Sequence, residues 1–127
     1  MKRSFILALV VTTVSACASV GYPPSGIKPG ETKLGTVLTD SGGMTLYTFD
    51  KDPSGKSVCN GKCAESWPPV AADASAKPVG RFTVVMRGDG SHQWAFGGKP
   101  LYGWVKDKKP GDTTGDRFKE VWTAAKP

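Results

Sequence analysis

The sequence is short of the residues that most catalysis and metal binding draw on. In 127 residues it has one histidine, three cysteines and three methionines. His92 stands in no Ser-His-Asp pattern and no phosphate-binding P-loop is present, so nothing points to an enzyme. The absence of C-x-x-C-H excludes c-type haem attachment. No long amphipathic helix can be traced, and the βαβ organisation of thioredoxin-like proteins is missing. No interleaving of aromatic and basic residues suggests nucleic acid. The one long apolar run, residues 5–14, is broken only by Thr12 and Thr13. It is too short to span a bilayer, which takes about 20 residues.

What flanks that run gives it a meaning. Lys2 and Arg3 precede it, and small residues follow in "VSAC", from Val14 to Cys17. A charged start, a short apolar core and small residues at the cut make a secretory signal peptide over residues 1–16. "VSAC" resembles a bacterial lipobox, which implies cleavage before Cys17 and acylation there of both the thiol and the new amine. Two or more acyl chains anchor stably where a single one does not. Ala18, rather than Asp, follows the cysteine. By the same resemblance this favours the outer membrane over the inner, on its periplasmic or surface face. An ordinary signal peptide with a coincidental cysteine is the alternative.

Removing Lys2 and Arg3 leaves 15 basic against 11 acidic residues, a net +4. The positives are scattered. Lys106, Lys108 and Lys109 form the one tight group, read first as a solvated turn and second as an anionic-surface patch.

Residues 18–33 carry three prolines and three glycines with little periodicity, the composition of a flexible tether. The domain is then expected over 34–127, too small to bury much surface without a staple. Its segments read as short strands: 33–40, ending at the turn signal "SGG"; 44–49; 81–90; 92–96; and 100–105. "GGK" joins the last two as a hairpin turn. In 44–49, Leu46 and Thr48 point one way, Tyr47 and Phe49 the other. Helical turns are expected in 60–67 and 115–122. The fold class is mainly β.

The chain also repeats itself. At an offset of 55, Gly42, Gly43, Leu46, Tyr47, Lys51, Asp52, Glu65 and Trp67 recur as Gly97, Gly98, Leu101, Tyr102, Lys106, Asp107, Glu120 and Trp122. Eight identities in 26 ungapped positions indicate a duplication. The expected architecture is one small domain of two pseudo-symmetric β-hairpin units, about 34–71 and 81–126. The units are expected to pack face to face or side by side, each with a short helical turn and a tryptophan.

Y-x-[FWY]-x-x-D thus occurs twice, as Tyr47, Phe49 and Asp52 and as Tyr102, Trp104 and Asp107, with "CNGKCAESWPP" after the first copy. The pair resembles the secreted-repeat family of predicted bacterial lipoproteins, over about residues 34–126. That resemblance implies export and duplication, and no particular reaction.

Asp52 and Asp107 admit a catalytic reading as an acid–base pair. The scaffold reading is simpler: the aromatics pack on one strand face, with Trp67 and Trp122 against them, and each aspartate caps the turn that ends its strand. Cys59 and Cys63 remain once Cys17 is lipidated. In an oxidising compartment, two thiols at this spacing pair as a disulfide. In the ungapped comparison Cys59 falls on Thr114 and Cys63 on Phe118, which suggests local stabilisation rather than shared chemistry. The alternative is a copper-binding or thiol-redox lipoprotein, with Cys59, Cys63 and His92 as copper(I) ligands assisted by Met44 or Met86. The reading is therefore a non-enzymatic envelope module. It has no cofactor in the first reading and copper in the alternative. It contacts the membrane through its lipid, and an unknown envelope protein or ligand through a surface to which Tyr22 and Trp94 contribute.

Overall fold

The structure, a computed structural model, describes Pro24 and residues 26–127. The expected signal peptide, Cys17, Ala18, Tyr22 and the first part of the expected tether lie outside the described residues.

Two short strands, β1 (Lys28–Thr32) and β2 (Gly35–Thr39), open the domain as an antiparallel hairpin. Thr32 closes its two-residue loop, its Oγ1 donating to the Gly35 carbonyl at 2.9 Å and accepting from the Leu34 amide at 3.0 Å. This corrects the tether, which was expected to run to residue 33. Pro29 and Gly30 are strand residues with edge duties. Pro29 is tolerated because β1 pairs only with β2. Gly30 lies against Thr39, where a Cβ would come within 2.7 Å of Cγ2.

The remaining strands are β3 (Tyr47–Phe49), β4 (Ala71–Ala72), β5 (Phe82–Met86), β6 (His92–Phe96), β7 (Lys99–Pro100) and β8 (Trp122–Ala124). β4, β6 and β5 form a sheet in that order, with β7 also on β6. The β6–β7 loop is Gly97–Gly98, with φ of 58° and 82°. Both residues are left-handed, as a two-residue type I′ hairpin requires. Among the described residues helix is confined to α1 (Lys62–Ser66) and a 3-10 turn at Phe118–Glu120. The mainly β expectation matches this architecture.

The two repeats interlace rather than standing side by side. In one half, Leu38 N–H donates to the Ala125 carbonyl, Leu46 N–H to Leu38, and Ala125 N–H to Leu46, at 2.8–2.9 Å. The other half repeats this closed ring with Trp94, Val70 and Leu101, each bond at 2.9 Å. Each ring takes two segments from one repeat and its third from the other. Between the rings, Tyr47 and Tyr102 exchange backbone hydrogen bonds at 2.8 and 2.9 Å, marking an approximate two-fold axis. β3 of the first repeat pairs with β8 of the second. The counterpart, Tyr102 with Pro69, shrinks to a single bridge. Pro68 and Pro69 have no N–H to donate where β8 has Thr123 and Ala124, so the strand expected over 100–105 ends early.

Two apolar clusters flank this seam. Leu46 joins Ile27, Leu38, Phe82, Leu101 and Ala125 in one, while Tyr47 lies in the other with Trp67, Tyr102 and Trp122. The alternation expected in 44–49 is present, and both faces of the strand are covered.

Candidate functional site

The duplicated motif forms bonds between repeats. Tyr47 Oη donates to Asp107 Oδ2 at 2.6 Å, and Tyr102 Oη donates to Asp52 Oδ2 at 2.5 Å. Each aspartate closes a tight turn, with Asp52 N–H donating to the Phe49 carbonyl at 3.0 Å and Asp107 N–H to that of Trp104 at 3.1 Å. Its second oxygen caps the following loop. Asp52 Oδ1 accepts from the Val58 amide at 2.8 Å, and Asp107 Oδ1 accepts from the Thr114 amide at 3.0 Å and from Thr114 Oγ1 at 2.6 Å. Val58 and Thr114 thus correspond, which shifts the register of this loop by one residue. Cys59 therefore matches Gly115, rather than the Thr114 of the ungapped comparison.

The carboxylates are 4 % and 7 % exposed and both tyrosines are fully buried, so no substrate reaches them from solvent without opening the domain. Burial raises the carboxyl pKa of Asp52 above its ordinary value, partly offset by the bonds from Tyr102 and Val58 and by the charges of Lys99 and Arg87. Both phenols are pushed well above 10, first by burial and then by the carboxylate each one bonds.

A second network occupies only one half. Tyr102 Oη also meets Ser57 Oγ at 2.6 Å. Since the phenol donates to Asp52, Ser57 donates to the phenol. Ser57 accepts in turn from Arg87 Nη1 at 2.9 Å. Arg87 is 7 % exposed and has no carboxylate in ion-pair contact; among the described residues the ion pair is Lys109–Asp112. Neutral acceptors hold the guanidinium: Gln93 Oε1 at 2.8 Å, the Cys59 carbonyl at 2.7 Å and Asn60 Oδ1 at 3.2 Å. Gln93 passes its own amide to the Leu101 carbonyl at 2.7 Å. In the other half Tyr47 Oη accepts from the Gly115 amide at 3.3 Å, and the Thr113 hydroxyl, which corresponds to Ser57, is buried without a partner.

Cys59 and Cys63 form a disulfide across the start of α1, with Cα atoms 5.2 Å apart. Cys59 is fully buried and Cys63 is half-buried. The proposed copper ligands are not brought together. His92 lies on β6 in register with Met86 and Ala72, and among the described residues no three His, Cys, Asp or Glu side chains gather. Met86 is exposed, and Met44 lines a different groove beside Pro68 and Pro69. Trp94 packs half-buried on the Leu46 cluster.

The tryptophans at the ends of the two repeats meet at the axis. Trp67 and Trp122 stack with centroids 3.8 Å apart and planes 4° apart. Trp104 covers the far face of Trp67 at 3.9 Å, and Phe49 that of Trp122 at 4.3 Å. Tyr47 and Tyr102 meet the central pair edge-on, at 5.4 and 5.1 Å. The motif's middle aromatic thus caps a four-ring column. Three such pairs contribute about 0.5–1.5 kcal/mol each beyond the area they bury. Gly115 makes room for the column, since a Cβ there would lie 2.8 Å from Trp67 Cη2 and 2.9 Å from Tyr47 Cζ.

At the side of the column is a cleft of about 430 Å³, with Lys62, Cys63, Lys106, Phe118 and Lys119 around the indoles. The segment behind it is strained: Arg117, Lys119 and Glu120 have φ of 61°, 49° and 59°. The three clustered lysines of the sequence separate here. Lys106 joins the cleft, whereas the backbone amides of Lys108 and Lys109 and the ammonium of Lys109 bind Asp112.

A family model described as a secreted repeat of unknown function matches residues 28–71 and again 83–126. The chain belongs to that family. Each match carries one copy of the Tyr/Asp motif, and the first begins at β1, where the fold begins. Membership places this secreted repeat among exported proteins. No helix among its described residues is long and apolar enough to cross a membrane. No curated protein and no solved structure matches the chain.

Proposed function

We propose that this secreted repeat is a lipid-anchored bacterial envelope protein whose domain binds or scaffolds and performs no chemistry. The observation that carries this reading is the fate of the family motif. Its tyrosines and aspartates bond one another across the repeats and are buried, so the polar groups available for catalysis are used in holding the halves together. Cys17, acylated after export, ties the domain to the membrane, with the outer membrane as the destination. Mass spectrometry of the protein from isolated membranes tests the anchor: a diacylglyceryl and acyl increment on Cys17 is expected, and Cys17→Ser should release the domain. An unmodified Cys17 refutes it. An activity that Asp52→Asn and Asp107→Asn abolish without lowering the melting temperature refutes the non-enzymatic part.

One observation favours a second reading, a thiol-redox or copper lipoprotein: Cys63 borders the cleft, where a reductant reaches it. Copper(I) binding by the reduced protein, lost in Cys59→Ser and Cys63→Ser variants, would establish it. A disulfide that stays closed under envelope conditions would remove it.

A further inference from the structure

A cleft lies beside the aromatic column. Its volume of about 430 Å³ falls within the range of small-molecule sites. Its walls come from both repeats, Lys62 and Trp67 from the first and Trp104, Lys106, Lys119 and Trp122 from the second. Both faces of Trp67 and of Trp122 are covered by neighbouring rings, so each offers the cleft only an edge. The edge of an aromatic ring is the positive part of its quadrupole. All three lysines are exposed, and none of the lining residues is a carboxylate. An apolar floor with a rim of one sign attracts an anion that has a hydrophobic body and repels a cation of the same shape.

The backbone supplies a second observation. Three non-glycine residues between 117 and 120 are left-handed, a conformation that L side chains resist and that persists where the surrounding structure over-determines it. The matching turn in the first repeat is ordinary helix, and its one left-handed residue is a glycine, Gly61. The repeat fold therefore does not require the strain. The strained segment sets Phe118 against Trp67 and Trp104 and brings Lys119 to the rim.

We infer that this cleft binds a small amphiphilic anion, a carboxylate or sulfonate on an aromatic or aliphatic body. The inference rests on the binding-module reading and names its class of ligand. The test titrates the exported domain with 3-phenylpropionate, 3-phenylpropanol and 3-phenylpropylammonium and follows backbone amide shifts by NMR. The acid should shift amides of residues 62–67, 104–106 and 117–122, and bind at least about tenfold more tightly than the amine. Lys106→Gln with Lys119→Gln should weaken the acid about tenfold without moving the melting temperature. Lys119→Gly should weaken binding while raising the melting temperature by several degrees, because glycine relieves the left-handed strain. Equal binding of acid and amine in the cleft overturns the ligand class and leaves the binding-module reading standing. Shifts confined to other surfaces, or no saturable binding of any probe, overturn the site. Retention on phosphatidylglycerol vesicles without binding of the free acid assigns the lysines to a membrane surface and also overturns it.

Discussion

The cross-repeat bonds predict a specific pattern of energetic coupling. Tyr47→Phe deletes one hydrogen bond to a buried carboxylate and leaves Asp107 Oδ2 without that donor. Hydrogen bonds to charged groups contribute about 1.5–3 kcal/mol. For a domain near 100 residues each kcal/mol moves the melting temperature by about 4–8 °C, so a fall of roughly 6–24 °C is expected. Tyr102→Phe should cost more, because Ser57 loses the acceptor that its chain from Arg87 ends on. The decisive measurement is a set of double-mutant cycles by urea unfolding with the disulfide intact. Tyr47→Phe with Asp107→Ala, and Tyr102→Phe with Asp52→Ala, should each couple by about 1 kcal/mol or more. Tyr47→Phe with Asp52→Ala shares no hydrogen-bond partner and should be additive within about 0.5 kcal/mol. Strong coupling within each repeat and none between repeats would show that the motif closes on itself and that the interlaced fold is wrong.

Three further outcomes follow from the same geometry. Both phenols are raised in the folded state, so the stability they contribute is full below pH 10 and is lost as pH rises above it; unfolding free energy should fall by about 1.4 kcal/mol per pH unit for each tyrosine. Tyrosinate absorbance from Tyr47 and Tyr102 near pH 10 in a domain that is still folded would refute this. Arg87→Met leaves four acceptors around the Cys59 loop without their donor and should cost more than opening the disulfide, whose small loop contributes about 2 kcal/mol on the chain-entropy model; urea midpoints of Arg87→Met and of the reduced protein decide the order. Gly115→Ala overpacks the column and should cost about 1–3 kcal/mol with a changed near-ultraviolet tryptophan signal, whereas an unchanged signal and stability would mean that the rings do not stack there.

Much of the fold was legible because it is local. Gly97–Gly98 announces its hairpin, the alternation in 44–49 announces a strand, and identical tyrosines and tryptophans at one offset announce a duplication. The exchange between repeats was not legible. An offset of 55 says that Tyr47 resembles Tyr102, not which aspartate each one reaches. β1 was hidden because Pro29 and Gly30 have the composition of a linker, and only the approach of Thr39 shows why glycine is there. Arg87 and Gln93 carry the most extensive buried polar network, and neither lies in a motif or among the repeated identities. Gln93 did leave a signal, since it shares a strand face with Ala95 and both are fully buried. The left-handed residues at 117–120 left none, because arginine, lysine and glutamate are not residues that ordinarily mark such a conformation.

Duplication separates what the fold needs from what this chain has added. Whatever both halves share has a structural explanation in both: the hydrogen-bonded rings around Leu46 and Leu101, the crossed tyrosine–aspartate bonds, the paired indoles. Whatever one half has alone was not required to build that half. By this criterion the disulfide is an addition to the first repeat, and the strained turn at 117–120 is an addition to the second. The two additions lie far apart in sequence, yet Cys63 and Lys62 border the same cleft as Phe118 and Lys119. The cleft is itself asymmetric, since Trp104 and Lys106 line it and their counterparts Phe49 and Lys51 do not. A surface where independent departures from symmetry converge is one that the symmetric scaffold did not dictate. The anion site proposed above lies there, rather than at the twice-written motif.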